Sequence, residues 1–129
     1  MIETRYAPQI SAKFGLNANN NDRLAPYLAE GQLWNNELAS GQLDEKGIEQ
    51  RVWGNTHNQN VYMASLHQRL EQFEQSPSSA NIPAIQKLQE ELRAVKASSA
   101  GQPWADAFND ELDKFDARAD EAIANSQPQ

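Results

Sequence analysis

Apolar positions in the second half of the chain recur at intervals of three and four residues. Tyr62, Met63, Leu66, Leu70 and Phe73 fall in one stripe about 100° wide when the chain is wound at 100° per residue. Ile85, Leu88, Leu92 and Val95 form a second stripe, and Trp104, Phe108, Leu112, Phe115, Ala119 and Ala122 a third. The pattern predicts three helices. The first starts at Thr56-His57-Asn58-Gln59, which has the capping-box form, and runs to about Gln75, where Ser76-Pro77 stops it. The second starts at Asn81 or Pro83 and ends near Ala97; the third opens at Pro103, after Ser98-Ser99-Ala100-Gly101, and ends near Asn125. Short connections make successive helices antiparallel, and the spacing is close to a/d heptads. Residues 56–125 therefore read as an antiparallel three-helix bundle in an all-α fold.

Residues 1–54 follow a different pattern. Gly31, Gly41, Gly47 and Gly54 punctuate short segments with helical spacing: Leu24 with Tyr27 and Leu28, Trp34 with Leu38, and Ile48 with Val52. These predict short helices packed on one side of the bundle, within a single helical domain spanning residues 1–129. The segment after Leu43 is the best marked, because Asp44 can cap it while Leu43 and Ile48 take the two positions of a hydrophobic staple, and Gly54 closes it. Residues 28–33 and 38–43 nearly repeat each other, but two copies of six residues are too short for a solenoid. Further upstream, Pro8 can open a short helix through Phe14, and the Asn-rich residues 16–21 read as a loop. That loop lacks the sixth-position glycine and twelfth-position acid of a calcium-binding loop. Residues 126–129 are expected to fray.

Composition narrows what such a fold can do. Eleven Lys and Arg against eighteen Asp and Glu leave a net charge of -7, which disfavours nucleic acid and anionic membrane surfaces, since both select clustered cations. Leu, Ile, Val and Phe together number 24 of 129 residues, so the core is thin and a homodimer is one expected remedy. The absence of cysteine excludes disulfides, thiolate catalysis and cysteine-based metal sites. The opening Met1-Ile2-Glu3-Thr4-Arg5-Tyr6-Ala7-Pro8 has no signal-peptide form, and no apolar run approaches the roughly 20 residues of a membrane span. The expectation is a cytoplasmic protein, with delivery that uses no cleaved signal left open.

Candidate chemistry is sparse. His57 and His67, ten residues apart on one helix, cannot form the i, i+4 pair of a helical metal site, so no metal or cofactor is expected. No phosphate-binding glycine loop and no nucleophile elbow occurs, and Ser78-Ser79 and Ser98-Ser99 are explained by turns. Every Asp and Glu can be placed on a polar face or at a cap. An enzyme is therefore not expected, and a carboxylate-only glycosidase is the form one would take.

Two features suggest binding instead. Asp106, Asp110, Asp113 and Asp120 project within about 80° of one another, and residues 103–125 hold seven acids against two bases. That face reads either as a dock for a basic surface on a partner protein or as a solvated face with an Asp110–Lys114 pair. Trp34 and Trp53 lie on short polar segments, where they serve either as core anchors or as interface residues. The expected function is a non-enzymatic protein-binding protein: an adaptor, an immunity-type inhibitor, or a phage or bacterial antagonist of a host factor. The alternative is a structural or delivered protein, a virion component or secreted effector module, completed by oligomerisation.

Overall fold

The three stripes become the three longest helices of the computed structural model, which describes residues 23–127. In chain order the helices are α1 (Leu28–Ser40), α2 (Glu45–Val52), α3 (Thr56–Gln75), α4 (Ile82–Ser99) and α5 (Ala105–Ser126), with 3₁₀ turns at Ala25–Tyr27 and Ser79–Asn81 leading into α1 and α4. No strand occurs among the described residues. The segment expected to be helical from Pro8 to Phe14 and the Asn-rich loop lie outside them. Fraying does not begin at residue 126, because Ser126 is the last residue of α5 and is buried.

Helices α3, α4 and α5 form the antiparallel three-helix bundle, and α1 and α2 cover one side. The α4–α5 pairing is antiparallel by its contacts: Ser99 meets Asn109, Lys96 meets Asp113, and Gln89 reaches Asp120. Between α3 and α4 the long side chains make the polar join, with Tyr62 and Arg69 both reaching Glu91. Leu70 and Phe108, central in their stripes, are buried.

The sequence stripe of α3 understates its burial. Every residue from Val61 to His67 is buried, so the middle of α3 is enclosed on all sides. A one-sided apolar stripe describes a helix with one neighbour; α3 has α1 and α2 on one flank and α5 on another. Val61, off the stripe, is fully buried. Polar residues in this girdle are satisfied locally: Ser65 donates to Asn35 of α1, and Gln68 Nε2 donates to the Leu28 carbonyl at 3.0 Å.

Two local expectations are corrected. Gly31 does not interrupt the N-terminal helix; α1 runs through it, because a glycine there lets α1 press against α3. A β-carbon at Gly31 would lie 2.9 Å from the Ser65 nitrogen and 3.0 Å from the Ala64 β-carbon. The start of α3 is capped by Asn55, whose side chain accepts from the Asn58 amide at 2.9 Å, and Thr56 is already inside the helix. Gln59, cast in the reciprocal arm of a capping box, instead donates to the Val52 carbonyl at 3.0 Å and ties α3 to α2. The expected cap of α2 is present, since Asp44 accepts from the Gly47 amide, and both residues of the expected staple, Leu43 and Ile48, are buried in the core.

Candidate functional site

The acidic face of α5 divides into two parts. All four aspartates, Asp106, Asp110, Asp113 and Asp120, are exposed. The C-terminal pair turns toward α4: Lys96 holds Asp113, and Gln89 donates to Asp120 at 2.6 Å. Asp116, between them, takes the Arg93 guanidinium through Nε and Nη2, both at 3.0 Å, and a second bond from Gln89. This half of the face is therefore the α4–α5 seam. Asp106 and Asp110 make no ion pair among the described residues. The expected Asp110–Lys114 pair does not form; Lys114 turns to Glu111 at 3.1 Å, and Glu111 also takes Arg23 at 3.2 Å. What is left open to a partner is the first two turns of α5.

The tryptophans also separate. Trp34 is only 7 % exposed and lies under the Arg51 guanidinium, 5.0 Å from the ring centroid, while Arg51 is held by Glu37 at 2.8 Å. It is packed in the core, with little of its ring at the surface. Trp53, at 48 % exposure, follows the last residue of α2 and stands edge-on to Trp104, with ring centroids 5.4 Å apart. Trp104 in turn leans on Phe108 at 6.3 Å. Gly54 reverses the chain beside this corner with φ of 62°, a left-handed conformation that glycine adopts without strain. Trp53 and Leu33 are the only large hydrophobic side chains exposed among the described residues.

Trp104 was legible only as a stripe residue. It sits immediately before α5, so its ring lies beside Trp53 and carries the aromatic corner to within two residues of Asp106. Its place at the end of the Gly101-Gln102-Pro103 turn was the available sign that it belonged to an entry turn rather than to a buried stripe.

Both histidines are engaged. His57, exposed, contacts Glu30 at 2.9 Å and packs edge-on to Tyr27. His67 is buried between α3 and α5, with Nδ1 2.9 Å from Arg118 Nη1. Burial, and then the Arg118 charge, lower its pKa to about 4, so the ring is neutral at neutral pH. Tyr62 is fully buried and donates to Glu91 at 2.7 Å; burial first, and the Glu91 carboxylate second, push the phenol well above its ordinary pKa. No group of three or more metal-ligating side chains occurs among the described residues. A shallow hollow of about 320 Å³ lies over α4 and α5, lined by Arg93, Lys96, Ala97, Ala100 and Asn109, and its two cations are already paired with Asp116 and Asp113. No described helix is long and apolar enough to cross a membrane. Compared with protein-family models, curated proteins and solved structures, the chain matches none.

Proposed function

We propose that the chain is a non-enzymatic protein-binding protein that docks a basic segment of its partner on the corner formed by Trp53, Trp104 and the first two turns of α5. The observation that carries the reading is the exposure of Trp53 against Trp104, the one exposed large apolar side chain among the described residues that is backed by a second aromatic ring. Half-exposed tryptophans backed by a second aromatic ring supply contact area with little entropy to lose on binding, and such residues dominate interface energetics. Asp106 and Asp110, exposed and without an ion pair among the described residues, add an attraction for Lys and Arg that steers encounter more than it adds affinity. The net charge of -7 acts in the same direction at longer range.

The test starts from affinity capture of a partner from the source organism, followed by surface-binding kinetics with the purified pair. The Asp106→Asn/Asp110→Asn double variant is expected to associate several-fold more slowly at low salt and to approach the wild type as salt is raised, because screening acts over about 8–10 Å. Trp53→Ser is expected to dissociate at least tenfold faster, as loss of an interface anchor does. A captured partner whose kinetics respond to neither variant would remove this corner as the docking site.

A further inference from the structure

Every hydrogen bond between α3 and α5 among the described residues comes from one side chain, Arg118. Its Nε and Nη2 donate to the two carboxylate oxygens of Glu74 at 2.7 and 2.8 Å, and Nη1 lies 2.9 Å from His67 Nδ1. A guanidinium carries only donors, so the His67 contact is a hydrogen bond only while Nδ1 has a free lone pair. The ring must therefore be the neutral tautomer with its proton on Nε2. That nitrogen faces Glu71 of the same helix at 4.0 Å, beyond hydrogen-bond reach. Of the charges on the other elements packed against α3, Glu30 and Glu37 of α1 pair with His57 and Arg51, Lys46 of α2 with Glu49, and Glu111, Asp113 and Asp116 of α5 with Lys114, Lys96 and Arg93, while Glu45, Asp106, Asp110, Asp120 and Glu121 make no ion pair with the ring. Arg118 is thus the charge in hydrogen-bond contact with the ring, and Glu71, at 4.0 Å, is the carboxylate nearest its other nitrogen.

We propose that His67, Arg118 and Glu74 form an acid-operated latch that fastens the C-terminal half of α5 to α3, and that a proton on His67 Nδ1 releases it. Protonation replaces an acceptor by a donor and sets two cations in contact, so the Arg118 bond to the ring is lost and the guanidinium is pushed away. Gln89 and Arg93 tie Asp116 and Asp120 of this half of α5 to α4, so its attachment to α3 rests on the latch and on light apolar packing. Beyond Phe115 its buried apolar residues are Ala119 and Ala122, with Ile123 only partly covered. Opening there uncovers the α5-facing side of α3 while α1, α2 and α4 stay docked.

The sign of the pH effect follows from the ring's two environments. Its folded-state pKa of about 4 lies below the ordinary 6.5, so the closed state is fully favoured above pH 6.5 and loses ground as pH falls through that value toward 4. Those two pKa values imply that local opening becomes about twentyfold easier between pH 6 and pH 4.5.

Amide hydrogen exchange of the full chain, corrected for intrinsic rates, tests this when combined with a ring titration of both histidines by NMR. The expected result is a tenfold or greater loss of protection at residues 116–124 between pH 6 and 4.5, with protection in the middle of α3 and in α4 changing less than threefold. His67→Gln, whose side-chain oxygen can accept from Arg118 and does not titrate, is expected to abolish that loss. An equal loss in His67→Gln, or a loss of the same size in all helices at once, would overturn the latch. The wild-type titration decides independently of whether the variant folds: a His67 ring titrating near 6.5 would also overturn it.

Discussion

Gly31 illustrates how a residue read as a break can be a contact. Glycine has low helix propensity, and in the interior of a helix it costs up to about 1 kcal/mol relative to alanine. On propensity alone, Gly31→Ala should stabilise α1. The structure reverses that sign, because the added methyl would meet the Ser65 backbone nitrogen at 2.9 Å and the Ala64 side chain at 3.0 Å, neither of them the flexible end of a long side chain. Separating α1 from α3 enough to admit the methyl would also disturb the Asn35–Ser65 and Gln68–Leu28 bonds. Gly31→Ala is therefore expected to lower stability by about 1–3 kcal/mol, the usual range for overpacking a tight contact. Urea denaturation monitored by far-UV circular dichroism measures it, and a variant more stable than wild type would show that α1 and α3 do not touch there. No sequence signal separated the roles of the glycines: Gly41 and Gly54 adopt left-handed conformations at helix ends, and Gly31 sits at a helix crossing.

Helix boundaries were readable where the capping chemistry had one solution and misplaced where it had two. Asp44 had no competitor, and it caps α2 as its position before a staple implies. At α3 the consecutive Asn55 and Thr56 can each accept from an amide three residues on, and the capping-box pattern favours Thr56 because Gln59 follows it at the right interval. The fold selects Asn55 because Gln59 is needed elsewhere: its amide satisfies the Val52 carbonyl at the end of α2, and Asn58 likewise donates to the Arg51 carbonyl at 2.9 Å. Two turns of tertiary wiring outweigh one local motif. Asn55→Ala is therefore expected to cost about 1 kcal/mol, as the loss of a side-chain cap does, while Thr56→Ala stays within about 0.5 kcal/mol. Thermal unfolding of the two variants side by side checks the assignment, and a larger loss for Thr56→Ala would return the cap to Thr56. The burial of α3 on every side was hidden for a related reason. Hydropathy reports what a helix can bury against one neighbour, and Ser65, His67 and Gln59 are buried as polar residues with partners.

Over the whole molecule, charge does two different jobs, and the sequence could place the charges on helix faces without telling which job each one does. The all-α architecture follows from periodicity, and the antiparallel order of the last three helices follows from their short connections. The partners of the charges depend on how two helices are rotated against each other, which no single-helix projection contains. Glu91 shows the internal job. It receives every hydrogen bond between α3 and α4 among the described residues, from Tyr62 at 2.7 Å and from Arg69 at 3.2 and 2.7 Å, and its side chain is only 14 % exposed. Removing its charge would leave the Arg69 guanidinium, itself mostly buried, with no opposite charge, and its Nε already has no partner. Glu91→Gln is therefore expected to lower stability by about 3 kcal/mol, the low end of the range for breaking a buried pair by removing one member. Asp106 and Asp110 show the external job. They are exposed and unpaired among the described residues, and the double change to Asn removes only an exposed charge and a modest attraction to the helix N-terminus, so stability is expected to stay within about 1 kcal/mol of wild type. Chemical denaturation of the two variants under one buffer gives the comparison. If the double variant lost as much stability as Glu91→Gln, Asp106 and Asp110 would be fastening the fold, and the slower partner association expected of that variant could no longer be assigned to a docking face.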